Sequence, residues 1–405
     1  MKELTRREFL TNSAGATAVA VPLFAPGRTR GANEQLAFGL IGAGGRGRYL
    51  HRTFQQLGAR CLAVAEVYAP NREAALQGSP PGTREYTDYR ELLAREPVDF
   101  VVIGTPDHQH CPNLLAALQA GKDVYLEKPL SMSLEESGRM VRAVRATRQI
   151  VQIGMQRRSM QFVRRAKQDI DDGVLGEVSM AKAMWNWHFA VPLDNSPLSG
   201  TLDWELFLGP APRRPLEPKR FRWWRAFWDY SGGNMTDQGT HLMDVVQWMT
   251  NSGPPRSAVC QGFIADATAG EVPDVFSAVF EYPRTLATWT LNYTNAYQHD
   301  WSILFQGRDA TMLMDERGYR IYRDTEPSPQ PWSQPADREL LAEVPDDGKG
   351  AEMHMQNLLD CIRSRQEPNC PVEVAAAAVT GPHMANVALR EDRKVNLGAD
   401  GFSAA

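Results

Sequence analysis

The sequence predicts an α/β protein in two parts: an N-terminal doubly wound parallel sheet, and a C-terminal α/β domain with a large open, mainly antiparallel sheet. Three observations predict it. Short apolar runs alternate with helix-like stretches from Gln35 to Gly154, the first of these runs enters a glycine-rich turn, and after Gly154 longer strands rich in Trp, Thr and Tyr recur with few helices between them. At 405 residues the chain is longer than one core usually fills, and 43% hydrophobic with 23% charged residues is the composition of an ordinary globular protein. A net charge of −4 with both signs interspersed argues against a nucleic-acid partner, which calls for a concentrated basic face. The five cysteines form no CxxC pair and are odd in number, so they read as small buried thiols rather than a zinc knuckle or a disulfide framework.

Residues 1–32 read as a leader rather than part of the fold. Paired Arg6 and Arg7 precede Phe9-Leu10 and a weakly apolar, alanine-rich run from Ser13 to Ala25, which Gly15 and Pro22 interrupt and which is too short to span a bilayer. The segment resembles a twin-arginine export signal, with Ala32 as the expected end, and so implies a periplasmic protein that folds before export. Residues 33–155 and 156–399 are then the two expected domains.

The run Gln35–Ile41 is a short apolar strand that leads directly into Gly42-Ala43-Gly44-Gly45-Arg46-Gly47 and then a helix. In this strand–turn–helix context GxGxxG is the phosphate-binding turn of a Rossmann dinucleotide-binding domain: the glycines permit the tight turn, the close approach of backbone to pyrophosphate, and close helix–strand packing. The next apolar run, Ala59–Ala65, ends in Glu66, which is placed to accept hydrogen bonds from ribose hydroxyls and to repel a 2′-phosphate. That favours NAD, although Arg72 nearby leaves NADP open. A helix at 89–95, a buried strand at 98–104, a helix at 111–120 and a strand at 122–126 continue the alternation. Between them, Thr105-Pro106-Asp107-His108-Gln109-His110 reads as a loop lining the nicotinamide end of a cofactor. His108 and His110 point opposite ways on an extended loop and have no complementary ligand cluster, so no metal is expected. The last of these strands runs into Glu127-Lys128-Pro129, with a new helix opening at Ser131 or Ser133. A lysine at a strand end is either a surface ion pair or, facing the cleft outside the carboxyl ends of the strands, a group that polarises a substrate oxygen or holds a cofactor hydroxyl.

Beyond Gly154 a helix at 160–172 is followed by strands at 178–189, 257–265, 274–282, 286–293 and 301–306, then by helices around 353–362 and 375–389. One face of such a sheet is covered by helices and the other is free for substrate or a partner subunit. Residues 324–350, rich in proline and charge, read as a mobile surface loop. Arginine interleaved with aromatics at 202–210 and 221–230 fits stacking on sugar rings, and Trp187, His188 and Arg225 are the side chains expected to face a polar ligand. In Gly232–His241, Asp237 and His241 lie four apart, hence on one face of a continuous helix. Taken alone the pair is a structural contact; beside a cofactor fold and Lys128 it reads as proton-handling machinery, the carboxylate orienting the imidazole and stabilising its protonated form.

GxGxxG at 42–47, the acid Glu66, TPxxxH at 105–110, AGKxVxxEKP at 120–129 and GGxxxDxGxH at 232–241 together resemble the glucose–fructose oxidoreductase, inositol dehydrogenase and rhizopine-catabolism family, Gfo/Idh/MocA. The resemblance implies hydride transfer between a secondary hydroxyl of a sugar or sugar derivative and a bound nicotinamide. It assigns His241 as the base, Lys128 to the alcohol oxygen and the nicotinamide ribose, and Asp237 to positioning substrate and His241. On the cofactor side it points to Gly42, Gly44, Arg46, Gly47, Glu66, Thr105, Pro106, His110, Glu127, Lys128 and Gln156, with Glu127 orienting Lys128. It also implies a dimer or tetramer joined through the open sheet. Export to a compartment without a soluble NAD pool implies a tightly held cofactor and a closed redox cycle. That cycle is either hydride exchange between two sugars or redox-neutral, NAD-dependent glycoside hydrolysis by oxidation, elimination, addition and reduction. A sugar-binding protein without catalysis is the third possibility.

Overall fold

The near-continuous apolar runs of the first domain become strands buried on both faces, as in a parallel sheet covered by helices on each side. A computed structural model of the chain describes residues 35–325, 330 and 338–405; the expected twin-arginine segment lies outside the described residues. The order is β1 (Ala37–Ile41), α1 (Gly45–Gln56), β2 (Arg60–Ala65), α2 (Ala69–Gln77), β3 (Arg84–Tyr86), α3 (Tyr89–Arg95), β4 (Phe100–Ile103), α4 (His110–Gln119), β5 (Asp123–Leu126), α5 (Leu134–Arg145) and β6 (Val151–Ile153). The six strands are arranged β3-β2-β1-β4-β5-β6, every pair parallel. Strand order reverses between β1 and β4, so the loops after these two strands part and leave a crevice at their carboxyl ends. Ser133 caps α5, its hydroxyl accepting from the Glu136 N–H at 3.2 Å, while the Glu136 carboxylate accepts from the Met132 N–H at 3.0 Å.

The second domain begins with α6 (Gln161–Asp171) and β7 (Met180–Asn186). Short helices α7 (Trp204–Leu208), α8 (Pro218–Arg222) and α9 (Gly233–Asp237) lead to α10 (Gly239–Met249). Strands β8 (Ser257–Phe263), β9 (Val275–Glu281), β10 (Leu286–Asn292), β11 (Asp300–Gln306), β12 (Ala310–Asp315), β13 (Gly318–Arg323) and β14 (Leu340–Pro345) follow. The chain then forms α11 (Gly350–Ser364), α12 (Val372–Glu391) and β15 (Val395–Asn396). Nine strands form one sheet in the order β14-β13-β12-β11-β7-β10-β9-β8-β15; β7 and β10 pair in parallel and all other neighbours antiparallel. Alternate residues of these strands pack under α6, α10 and α12. The opposite face is open, mixing Lys182, Thr288 and Ser302 with the exposed Val259 and Phe263.

The 324–350 stretch departs from its expected reading as a loop, because Leu340–Pro345 pairs with β13 as an edge strand. Its one charged residue, Glu343, faces water, and a charge on an edge strand reads as loop from sequence. All five cysteines are free and buried.

Candidate active site

The turn between β1 and α1 is closed by two glycines and opened by a third. Gly42 has φ +84°, and a Cβ on Gly47 would stand 2.0 Å from the Gly42 carbonyl oxygen. A Cβ on Gly44, by contrast, would meet nothing within 4 Å, since it would project into a cavity of about 570 Å³. That cavity is lined by Gly42, Gly44, Arg46, Glu66, Thr105, Pro106, Glu127, Lys128, Gln156, Arg225 and His241, so most of the residues singled out from sequence converge on it. The space over Gly44, the helix N-terminus behind it and the buried carboxylate of Glu66 fit a dinucleotide. Glu66 accepts from the Ala43 N–H at 2.6 Å and the Tyr68 N–H at 2.9 Å, and keeps lone pairs for ribose hydroxyls. Arg72 is engaged with the Glu66 carbonyl and the Glu85 carboxylate, both at 2.8 Å, and does not line the cavity.

Two of the expected cofactor residues lie behind the surface. Gly47 is packing, as described. His110 is fully buried, with Nδ1 2.6 Å from the Pro129 carbonyl and Nε2 3.0 Å from the Thr105 carbonyl, so it ties the loop after β4 to the chain after β5 and lines neither cavity. His108 lies in the short 3₁₀ turn Asp107–Gln109 just before α4, its Nε2 2.7 Å from the Phe207 carbonyl. The loop is therefore helical rather than extended, and both imidazoles serve backbone carbonyls.

At the far end of the cavity Lys128 donates to the Asp237 carbonyl oxygen at 2.8 Å and to its carboxylate at 2.6 Å. Arg225 donates to the other carboxylate oxygen at 3.2 Å and stacks on Trp224, 4.1 Å from its ring centre. This corrects the expected Asp237–His241 contact. The helix is interrupted at Gln238: the His241 N–H bonds to the Gln238 carbonyl, three residues back, while the Asp237 carbonyl that would have continued the ladder is taken by Lys128. His241 thus opens α10 with its Nδ1 free of any hydrogen-bond partner. Burial, followed by the positive charges of Lys128, Arg157 and Arg46, pulls its pKa well below the ordinary histidine value. Burial alone would raise Asp237, but Lys128 and Arg225 outweigh it and bring the carboxyl to about 2. Glu127 does not orient the Lys128 ammonium either; its carboxylate pairs with Arg46 at 2.7 Å and accepts the Lys128 backbone N–H at 3.3 Å.

Two matches decide the family. Residues 36–155 match the NAD-binding Rossmann domain, and residues 160–403 the C-terminal alpha/beta domain, of the Gfo/Idh/MocA oxidoreductases. The chain belongs to the Gfo/Idh/MocA oxidoreductase family. Its relatives include an inositol 2-dehydrogenase from Klebsiella pneumoniae, 36% identical over 150 residues, which are 36% of this chain and 44% of that protein. Another is an inositol 2-dehydrogenase/D-chiro-inositol 3-dehydrogenase from Halalkalibacterium halodurans, 35% identical over 153 residues, 36% of this chain and 43% of that protein. The matched part thus spans less than half the length of these relatives. In fold the chain is similar to the WlbA dehydrogenase of Bordetella pertussis in complex with NADH and UDP-GlcNAcA (TM-score 0.69, 19% identity, 91% of this chain and 100% of that one). It is also similar to levoglucosan dehydrogenase in complex with NADH and levoglucosan (TM-score 0.70, 17% identity, 90% and 99% covered).

Three placements remain: one residue that sequence reasoning missed, one expected ligand-facing residue that lines a separate cavity, and one that lines none. Asp107 lines the cavity, buried, with its carboxylate accepting from the Ser231 hydroxyl at 2.8 Å; burial and then the charge of Asp237 push it up to about 7. Its place within TPxxxH was the available signal. Trp187 lines a second cavity beside the first, together with Trp223 and Tyr293. His188 is exposed and lines neither, because along a strand end it faces away from its neighbour Trp187.

Proposed function

We propose that this protein is an NAD-dependent oxidoreductase that oxidises a secondary hydroxyl of a sugar or sugar derivative. The observation that carries this reading is the Lys128–Asp237–Arg225 cluster beside His241, at the end of a dinucleotide-sized cavity. Gly42, Gly44, Glu66, Thr105, Pro106 and Gln156 would hold the cofactor, which when bound supplies the hydride acceptor. NAD is favoured over NADP because the Glu66 carboxylate repels a 2′-phosphate and Arg72 is already occupied.

The rest of the chemistry belongs to the chain. An ammonium has three N–H donors and Asp237 takes two of those on Lys128, so one remains for the substrate oxygen. That donor and its charge lower the cost of negative charge growing on the alcohol oxygen as its proton leaves. His241, neutral and without a carboxylate partner among the described residues, takes the proton. Asp237 holds Lys128 in place, and the aromatic segments around Trp224 exclude water.

The test is to identify any nucleotide released from the purified protein, measure NAD and NADP binding, and follow reduced nicotinamide with polyols, hexoses and glycosides. Binding of neither nucleotide would sink the reading. We further propose export by the twin-arginine route with the nucleotide already bound; replacing Arg6 and Arg7 together by lysine is expected to keep the protein in the cytoplasmic fraction.

A further inference from the structure

The second cavity, of about 310 Å³, shares Arg225 with the first and takes in the Asp237 side of the pair. Its walls follow from the topology of the nine-stranded sheet. Because β7 and β10 are parallel, with Asn186 opposite Asn292, their carboxyl ends lie side by side, and the next ring on each, Trp187 and Tyr293, stack at 5.7 Å and 22°. Phe189 meets Tyr293 edge-on at 6.0 Å and leans on Trp223 at 6.1 Å. Successive residues divide the two cavities: Trp223 faces the second, Trp224 the first, and Arg225 borders both.

The polar rim is sparse, and its charged groups are already engaged. Asn234 accepts from the Tyr293 hydroxyl at 2.9 Å, which leaves its Nδ2 donor for the cavity. Asp274 is consumed by the N–H groups of Ala265, Asp266 and Ala267. Among the described residues Arg225 is the one cation lining this space, and it is paired with Asp237, so nothing here matches a phosphate or a diphosphate. Phe189 is 39% exposed, and a contiguous apolar surface left open beside a reaction site marks where a ligand lies. Flat rings with the amides of Asn234 and Gln238 at their edge fit the C–H face of a neutral sugar ring or an aryl group, and the volume is at the lower end of small-ligand sites, about 300–1,000 Å³.

We propose that the substrate is a glycoside: one unit presents its hydroxyl to Lys128 and His241, and the second, uncharged unit packs against Trp187, Phe189, Trp223 and Tyr293. This rests on the oxidoreductase reading above and narrows its substrate from any polyol to a two-unit ligand without phosphate. Arg225, half-exposed and held by a single hydrogen bond to Asp237, is the partition the substrate passes.

The test is calorimetric titration of the NADH-loaded protein with glucose, galactose and mannose, their p-nitrophenyl β-glycosides, and cellobiose. At least one two-unit ligand is expected to bind on the order of tenfold tighter than its monosaccharide. Trp223→Ala should abolish that preference and Trp223→Phe restore part of it, with NADH affinity as in the wild type. Monosaccharides binding as well as the glycosides, a preference that survives both Trp223→Ala and Phe189→Ala, or no binding of any of these probes would overturn the inference. Failure to bind NADH at all is a separate result, which strikes the parent reading.

Discussion

The role proposed for His241 is that of a base with no acidic partner among the described residues. Among the described residues no carboxylate pairs with it, and burial with three nearby cations holds its pKa well below 6.5, so the imidazole is neutral across the physiological range. A neutral base loses activity only when it is protonated. The acid limb of kcat/KM is therefore expected below the ordinary histidine range, with a plateau through pH 7, and Lys128→Ala should move what remains of that limb upward by removing one of the cations. A limb centred at or above about 6.5 in the wild type would refute this account of His241. His241→Gln is expected to lower kcat by about 10²–10⁴ while NADH still binds, as read by stopped-flow turnover and fluorescence titration. At this scale the residues that converge on the cavity were legible in the sequence and their pairing was not. A spacing of four implies a shared face only while the helix is continuous, and Lys128, distant in sequence, removes the carbonyl that would have made it so.

The same limit holds for whole elements. The glycine turn was legible because its conformational demands are local, and its three glycines now separate into two kinds. Gly47→Ala drives a methyl into the Gly42 carbonyl at 2.0 Å, so it should lower the melting temperature and abolish NADH binding together. Gly44→Ala adds its methyl to empty space at φ −59°, so it should leave the melting temperature unchanged and weaken NADH alone, by filling the cradle. Equal thermal losses in the two variants would contradict this division, and differential scanning fluorimetry with and without nucleotide decides it. Five of the nine strands of the second sheet were legible from their alternation, but β12 to β15 were not, and neither was the parallel pairing of β7 with β10, because nothing in either strand records its partner. That pairing is what assembles the aromatic cavity.

At the scale of the molecule, the two domains share their cores. Met355, Leu358 and Leu359 of α11 pack on one face of the first sheet. The N-terminal half of α12, from Val372 to Val379, packs on the other face, while Met384, Ala385 and Ala388 of the same helix complete the core of the second domain. The chain from Gln35 to Ala405 is thus one compact unit whose cores cross residue 155, which no local pattern could show. Buried histidines sit on these seams. His354 of α11 bridges the Ser159 hydroxyl and the Ile153 carbonyl, His383 of α12 meets Ser131, and His108 meets the Phe207 carbonyl. Burial holds each of the three, and His51 in the first domain, at about 4. Their unfolded value is about 6.5, so the unfolded chain binds more protons throughout that window. The stability they confer is complete above about 6.5 and is lost progressively as the pH falls through 4. Asp107, raised to about 7, and Glu66 and Asp244, which burial also raises, act in the opposite sense, while His110 and His241, which burial lowers, act with the four. We therefore expect the unfolding free energy from urea titration to fall steadily between pH 7 and pH 4, before most carboxylates have titrated. The total loss should reach several kcal/mol, since each tenfold change in a proton affinity is worth about 1.4 kcal/mol. His383→Gln should flatten the slope, because an amide can serve Ser131 without taking a proton. A urea midpoint independent of pH over this window would show that the seam histidines are solvated and can charge in place.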